Sequence, residues 1–327
     1  MTWKLLPINE FDRHIKSWDR LNQSNTNTPL LSSDFVQPLL RYFSTPQDHL
    51  AIYGDPSDPQ AMAIITKPKF GVWETKQPSQ APIGLWLQDN NQSVALLMKN
   101  MLKTLPFPSL LFGITQQDPD LLPRPIDQGK LNTLDYIQTA RVTVSDTFEN
   151  YWSQRGKNLR QNLRRQRNRL ERDGITTKLN IITEPEKITQ AIIDYGTLES
   201  AGWKSAGGTA IHIDNDQGKF YRNMLTNFCR HQDGLIFQYY YDNQLVATDL
   251  CIKNDDSLII LKTTYDEAIT TSSPAMLMRQ EAFEYIFNNR LANKIEFYGK
   301  VMDWHTKWSD HIRKMYHVNY SLLKFHK

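Results

Sequence analysis

The segment from residue 258 to residue 289 has a residue pattern suited to binding an anion. A strand is predicted over Leu258–Tyr265, a loop of small and polar residues follows, and a helix begins at Ser273 and Pro274. The backbone N–H groups of a first helical turn lack partners within the helix, and the helix dipole adds positive potential there. A plain capped helix would show the same pattern. The candidate anion site is the helix start Ser273-Pro274-Ala275-Met276.

A second candidate site follows the helix predicted over Ile188–Ser200. Glu199 lies at the end of this helix, and three glycines occur within the next residues, 202–208. Such a segment can bend around a substrate, with Trp203 as an apolar wall and Lys204 as a cation. The alternative is an ordinary helix end with a glycine stop and an exposed lysine.

His305 is a third candidate, because histidine is a common general base near neutral pH. It lies between Trp304 and Trp308, however, and a histidine in such surroundings is often a packed residue. The histidines and the two cysteines, Cys229 and Cys251, show no metal-ligand spacing, so we expect no metal site.

Residues 151–173 form a strongly basic segment with helix-forming composition. Eight Lys/Arg and two Asp/Glu give these residues a net charge of +6, whereas the whole chain carries +3. At helical spacing, Arg160, Arg164 and Arg167 share one face. Leu159, Leu163 and Leu170 form the opposite, buried face. The arginine face is either a solvated surface or a site for a polyanion. The sequence pI of about 8.6 is below that typical of a dedicated nucleic-acid-binding protein.

The 327 residues have an ordinary globular composition, with 40% hydrophobic and 11% aromatic residues. Both halves alternate helices with groups of strands, which predicts an α+β fold. No secretory signal and no apolar run of transmembrane length occurs, so we expect a cytoplasmic protein.

Several short motifs occur in an order that is similar to a known family. The series resembles the CelD/BcsL-like acetyltransferases of the GNAT superfamily, which are related in fold to the Fem aminoacyltransferases. The basic segment also resembles the helix that joins the two halves in that family. The resemblance covers about residues 150–310. Its motifs are Ala201-Gly202-Trp203-Lys204, Gly208-Thr209-Ala210, Lys262-Thr263-Thr264-Tyr265-Asp266-Glu267-Ala268 and Ser273-Pro274.

The resemblance implies two GNAT-like domains with mixed sheets, joined by a basic helix. The corresponding segments are residues 1–148, 149–174 and 175–327. The donor, acetyl-CoA or another acyl-CoA, is expected in the last segment, with its pyrophosphate on Ser272, Ser273, Ala275 and Met276. Relatives often have glycine where this chain has Ala275, so donor binding at that position stays open.

The resemblance also implies roles for the candidate residues in N-acyl transfer to an amine. Glu199 or Asp266 would remove the proton of the amine, and Tyr265 would protonate the leaving thiolate. Lys204 and Lys262 would bind an anionic acceptor or stabilise the oxyanion. A structural ion pair between Lys262 and Asp266 is the alternative. The remaining candidates for substrate binding are Arg160 and Arg164 for phosphate groups, with Trp203 and His305.

Three functions stay open from the sequence. The first is acyl-CoA-dependent N-acylation of an amino sugar or another small or glycan precursor of the cell surface, with O-acylation as a variant. The second is a Fem-like transferase that uses aminoacyl-tRNA, which the arginine helix would contact. The third is a non-catalytic scaffold that binds an anionic polymer.

Overall fold

The computed structural model describes residues 1–200 and 211–322, and the chain packs into two compact units. Unit 1 comprises Met1–Thr139 and Arg313–Lys327, and unit 2 comprises Ala140–Ile312. The chain passes between the units within two strands, whereas the basic helix lies inside unit 2. The boundaries suggested by the sequence, at residues 148 and 174, differ from this packing division and stay predictions.

Unit 1 is a mixed sheet packed with helices. Its helices are α1 (Ile15–Leu21), α2 (Ser33–Phe43) and α3 (Val94–Thr104). Its strands are β1 (Trp3–Pro7), β2 (His49–Asp55), β3 (Asp58–Lys69), β4 (Gly71–Thr75), β5 (Trp86–Gln88), β6 (Ser109–Gln117), most of β7 (Leu131–Thr143) and, from the end of the chain, most of β13 (His311–Ser321). β4 and β6 pair in parallel, whereas β1–β2, β2–β3, β3–β4 and β6–β13 are antiparallel.

Unit 2 repeats this combination of antiparallel strands and one parallel pair. Its strands are the end of β7, β8 (Thr177–Ile182), β9 (Gly234–Tyr241), β10 (Gln244–Lys253), β11 (Ser257–Tyr265) and β12 (Lys294–Glu296). Its helices are α4 (Phe148–Ser153), α5 (Lys157–Arg172), α6 (Ile188–Ser200), α7 (Asp216–Arg230), α8 (Pro274–Asn289) and α9 (Asp303–Trp308). The strand order is β7-β12-β11-β10-β9-β8, with β11 and β12 parallel. The α+β class predicted from the sequence is confirmed.

Helix α5 shows how the sequence pattern produces the packing. Leu159, Leu163 and Leu170 are buried in the core of unit 2, as predicted from their spacing. The same core contains Phe283 of α8 and Trp308 of α9. Removing these apolar side chains from water holds α5 against the unit despite the six arginines of the helix.

Candidate active site

The parallel strands β11 and β12 separate after a short paired stretch. Ser257–Ile259 pair with Lys294–Glu296, where β12 ends, while β11 continues to Tyr265. On its other side, β11 stays paired with β10 as far as Tyr265. β12 therefore leaves the second half of β11 uncovered, and an uncovered strand edge presents backbone groups that a ligand can pair with.

Helix α8 follows β11 and begins without a side-chain cap. Ser273 is the N-cap and Pro274 the first helical residue, as predicted, but the Ser273 side chain makes no capping hydrogen bond. The backbone N–H of Ser273 donates to Gln166 Oε1 of α5 at 2.7 Å. The hydroxyls of Ser272 and Tyr241 lie 2.8 Å apart. Pro274 has no N–H, and the Met276 N–H donates to the Ser273 carbonyl oxygen at 3.0 Å. Among the described hydrogen bonds, the Ala275 N–H is therefore the first-turn donor left for an anion, with the positive end of the helix dipole behind it.

A groove of about 550 Å³ opens at this helix start. Two of the four predicted anion-binding residues, Ser273 and Met276, line it. Two cationic side chains, Arg155 and Lys307, also line it. The remaining polar lining includes Asn158, Asn162 and Gln166 of α5 and Asp310. A helix N-terminus together with two cations favours a phosphate-bearing ligand.

Glu199 and Lys262 meet although they are distant in the sequence. Lys262 Nζ of β11 lies 3.8 Å from Glu199 Oε1 of α6, and Glu199 Oε2 accepts a hydrogen bond from the Ile211 N–H at 2.8 Å. Glu199 is buried, and Lys262 Nζ lies 5.8 Å from the centre of the Tyr221 ring. Among the described residues, the structure thus pairs Lys262 with Glu199, whereas the alternative had Lys262 paired with Asp266.

Two tyrosines beside Glu199 were not predicted as site residues. Burial, together with the Glu199 carboxylate, raises the pKa of Tyr195 and Tyr221 well above the ordinary tyrosine value. The hydroxyls of Tyr195 and Thr248 are buried and have no hydrogen-bond partner in the described part of the chain. Unpaired buried hydroxyls are costly, so they mark positions where a ligand can complete the hydrogen bonding.

A buried ion pair on the other face of the sheet was also missed. Arg279 Nη2 of α8 lies 3.5 Å from Asp249 Oδ2 of β10 and donates to Thr263 Oγ1 of β11 at 3.1 Å. Thr263 in turn donates to Asp249. Burial raises the pKa of Asp249, while Arg279 and the Thr263 hydroxyl oppose the rise. Because Lys262 and Thr263 point to opposite faces of β11, this cluster and the Glu199 pair lie on opposite sides of the sheet.

His305 is a packed residue next to this cluster. Its ring stacks on Trp304 with 3.5 Å between ring centroids, and Arg279 lies 4.4 Å from the Trp304 centroid. His305 Nδ1 accepts a hydrogen bond from the Met302 N–H at 2.9 Å. Burial, reinforced by the charge of Arg279, lowers the pKa of His305 to about 4. Its imidazole is therefore neutral near pH 7, and its Nδ1 is already engaged.

The low pKa of His305 predicts a loss of stability in acid. As the pH falls from about 6.5 towards 4, the unfolded chain takes up a proton that the folded chain resists, so the free energy of unfolding decreases by about 3 kcal/mol at most. In His305→Asn the amide oxygen can accept from Met302 without titrating. Urea unfolding at pH 7 and pH 4.5 should show the larger decrease for the wild type. Equal decreases in both proteins would contradict the prediction.

Tyr265 and Asp266 lie at the end of β11. The Tyr265 ring is exposed. Asp266 Oδ1 accepts from the Ala268 N–H at 2.9 Å, and Oδ2 accepts from Gln244 Nε2 at 3.0 Å. Asp266 thus holds the loop after β11, and both of its oxygens already accept hydrogen bonds.

The predicted arginines of α5 do not line the groove. Arg160 Nε donates to the Arg155 carbonyl oxygen at 3.0 Å, whereas Arg164 is exposed. Arg167, the third arginine predicted on that face, forms an ion pair with Glu281 of α8 at 2.6 Å. Trp203 and Lys204 lie outside the described residues. Among residues 1–200 and 211–322, no cluster of three or more metal-ligating side chains occurs, and no helix is long and apolar enough to span a membrane.

Residues 157–306 match the family model described as acetyltransferase (GNAT) domain. The match contains the open strand pair, the start of α8 and the Glu199–Lys262 pair. Residues 157–306 are thus similar to a GNAT acetyltransferase domain, and the fold is GNAT-like. Comparison with curated proteins gives no significant match.

Solved structures share this fold over nearly the whole chain. FemX is 10% identical, with 98% of this chain and 97% of that chain covered and a TM-score of 0.60. The C-terminal domain of a putative lysylphosphatidylglycerol synthetase from Agrobacterium fabrum is 12% identical, with 94% and 92% covered and a TM-score of 0.57. L-PGS from Bacillus licheniformis is 13% identical, with 95% and 93% covered and a TM-score of 0.55. At these identities the likeness shows the fold alone.

Proposed function

We propose that this protein is an N-acyltransferase of the CelD/BcsL-like type that takes its acyl group from acetyl-CoA or another acyl-CoA. The observation that carries the proposal is the uncapped start of α8, which faces a groove of about 550 Å³. The donor pyrophosphate binds there, and its pantetheine arm follows the uncovered half of β11 towards the Glu199–Lys262 pair.

The corresponding region of unit 1 supports donor binding in unit 2. The Ser93 hydroxyl accepts from the Leu96 N–H and so caps α3, unlike Ser273 at α8. Beyond the β4–β6 pairing, the Thr75 and Thr115 hydroxyls lie 2.8 Å apart. Gly84 packs so closely against both threonines that an added Cβ would clash with their hydroxyl oxygens. The opening that unit 2 presents is filled in unit 1.

The proposed reaction uses Glu199 as the base. The amine nitrogen attacks the thioester carbonyl carbon, the C–S bond breaks, and the thiolate leaves with a proton from Tyr265, the acid that the family resemblance indicates. Glu199 takes the proton from the amine, and Lys262 orients the carboxylate and stabilises negative charge on the carbonyl oxygen. Asp266 is the alternative base, and the hydrogen bonds that its oxygens accept serve the loop after β11.

The acceptor class comes from the family resemblance. We propose an amino sugar or another precursor of the cell surface, for which the unpaired hydroxyls of Tyr195 and Thr248 are candidate contacts. Trp203 and Lys204 stay candidates from the sequence. Use of acyl-CoA agrees with a cytoplasmic location. His305 supports the site by packing rather than by touching the acceptor.

A second candidate function is transfer of an aminoacyl group from aminoacyl-tRNA. Arg164 and Arg165 are exposed on α5 and make no side-chain hydrogen bond or ion pair among the described contacts, so they form a basic surface that an RNA backbone can contact. FemX and the lysylphosphatidylglycerol synthetase domain share the fold, and the name of the latter states an aminoacyl product.

The donor proposal is tested by placing a negative charge at the start of α8. Ser273→Asp should weaken acetyl-CoA binding about tenfold or more in calorimetry, because the carboxylate occupies the position of the pyrophosphate. Aspartate is favourable at a helix N-terminus, so the fold should be retained.

Ser93→Asp is the matched control, since it adds the same charge at the start of α3 and should leave binding unchanged. Equal effects of the two substitutions would contradict the proposed site. Absence of acyl-CoA binding in the wild type, with salt-dependent binding of aminoacyl-tRNA, would favour the second candidate. Failure of both donors would favour a non-catalytic scaffold.

A further inference from the structure

The groove at the start of α8 adjoins a second cavity in unit 2. This cavity has a volume of about 260 Å³ and lies next to the end of β7, with Arg141, Ser145 and His311 in its lining. Gln154, Arg155 and Asp310 line both the groove and the cavity. The groove and the cavity therefore meet at the buried cation Arg155 and the acid Asp310.

Arg155 is held in an incomplete set of contacts. Its Nη1 donates to the Trp308 carbonyl oxygen at 3.1 Å, and its Nη2 donates to Asp310 Oδ2 at 2.7 Å. The guanidinium lies 4.9 Å from the centre of the Tyr151 ring. The buried Nε has no hydrogen-bond partner in the described residues, although the side chain is only 7% exposed.

The acid that neutralises Arg155 can easily be displaced. The Asp310 side chain is 81% exposed, so moving it into solvent costs little. The Arg155 guanidinium, by contrast, is fixed by packing and cannot move into solvent with Asp310. A phosphate group that reaches Arg155 replaces one carboxylate by a dianion with more acceptor oxygens, and it can also complete the hydrogen bonding of Nε.

We infer that Arg155 binds a second phosphate of the donor, separate from the pyrophosphate at the start of α8, and that Asp310 occupies its place when the donor is absent. The inference rests on the proposed function. In acyl-CoA the second phosphate is the 3′-phosphate of the ribose, with the adenosine lying along the groove and the adjoining cavity.

The experiment compares coenzyme A with 3′-dephospho-coenzyme A in calorimetry on the full chain. The wild type should bind coenzyme A about tenfold more tightly, because only coenzyme A carries the second phosphate. Arg155→Gln should bring the two affinities together. Asp310→Asn should tighten coenzyme A binding about threefold and leave dephospho-coenzyme A unchanged, because the competing carboxylate is gone.

Asp310→Asn keeps the inference testable if Arg155→Gln does not fold, since Asp310 is exposed. Asp303→Asn is the charge-matched control, because Asp303 lies at the start of α9 and lines neither space. Equal wild-type affinities for the two coenzymes would overturn the inference and leave the donor proposal intact. Failure of both coenzymes to bind would overturn the donor proposal itself, and this inference with it.

Discussion

Replacing Glu199 with glutamine is expected to lower kcat for acyl transfer about 100-fold or more, with a small change in donor affinity. Glutamine keeps the size of the side chain and an oxygen that can accept from the Ile211 N–H, but it cannot take a proton. Single-turnover kinetics with the best acceptor found would measure the effect on the chemical step.

Two other carboxylates serve as comparisons for Glu199. Glu281→Gln removes a carboxylate of the same unit that is bound to Arg167, outside the proposed reaction path, and kcat should stay the same. Asp266→Asn should have a smaller effect than Glu199→Gln, because its oxygens serve the loop after β11. An unchanged kcat in Glu199→Gln with a large loss in Asp266→Asn would assign the base to Asp266.

The start of α8 could be predicted because its determinants are local. Ser273 and Pro274 specify a helix start within a few residues, whatever the rest of the fold does. The buried face of α5 was predictable for the same reason, since Leu159, Leu163 and Leu170 repeat at helical spacing.

The partners of the site residues could not be predicted, because they are set by packing across the unit. Glu199 meets Lys262 only because α6 packs against β11. The spacing of the two residues in the sequence does not predict this contact. Arg155 is one of several arginines in the basic segment. Only its burial against Trp308 and the exposure of Asp310 distinguish it from the solvated ones.

The burial of Arg279 is a second feature that could not be predicted from the sequence. An arginine in the middle of α8 has the sequence appearance of a surface residue, yet it is almost fully buried. Its burial depends on Asp249 of β10, on Thr263 of β11 and on the face of Trp304 of α9. Burying a charge is tolerated only with such partners, so the cluster ties together four elements around the open strand pair.

The second large effect is expected from Asp249→Asn, which should lower the free energy of unfolding by about 3–5 kcal/mol. The substitution preserves the shape of the side chain but leaves the charge of Arg279 buried without a counter-ion. Urea unfolding at pH 7 would measure the loss. Asp256→Asn is the matched control, because it breaks a partly exposed pair with Lys294, and it should cost about 1 kcal/mol or less.

The double variant Asp249→Leu with Arg279→Met distinguishes a lost attraction from an uncompensated charge. If the unpaired guanidinium causes the loss, removing both charges should restore most of the stability, because apolar side chains of similar size can replace a buried ion pair. If the attraction itself dominates, the double variant should be as unstable as Asp249→Asn. The first result is expected, since Arg279 Nη2 and Asp249 Oδ2 are 3.5 Å apart, which is long for a charge-assisted hydrogen bond. A loss below about 1 kcal/mol in Asp249→Asn would contradict both accounts, and it would mean that the guanidinium finds water or another acceptor once Asp249 is neutral.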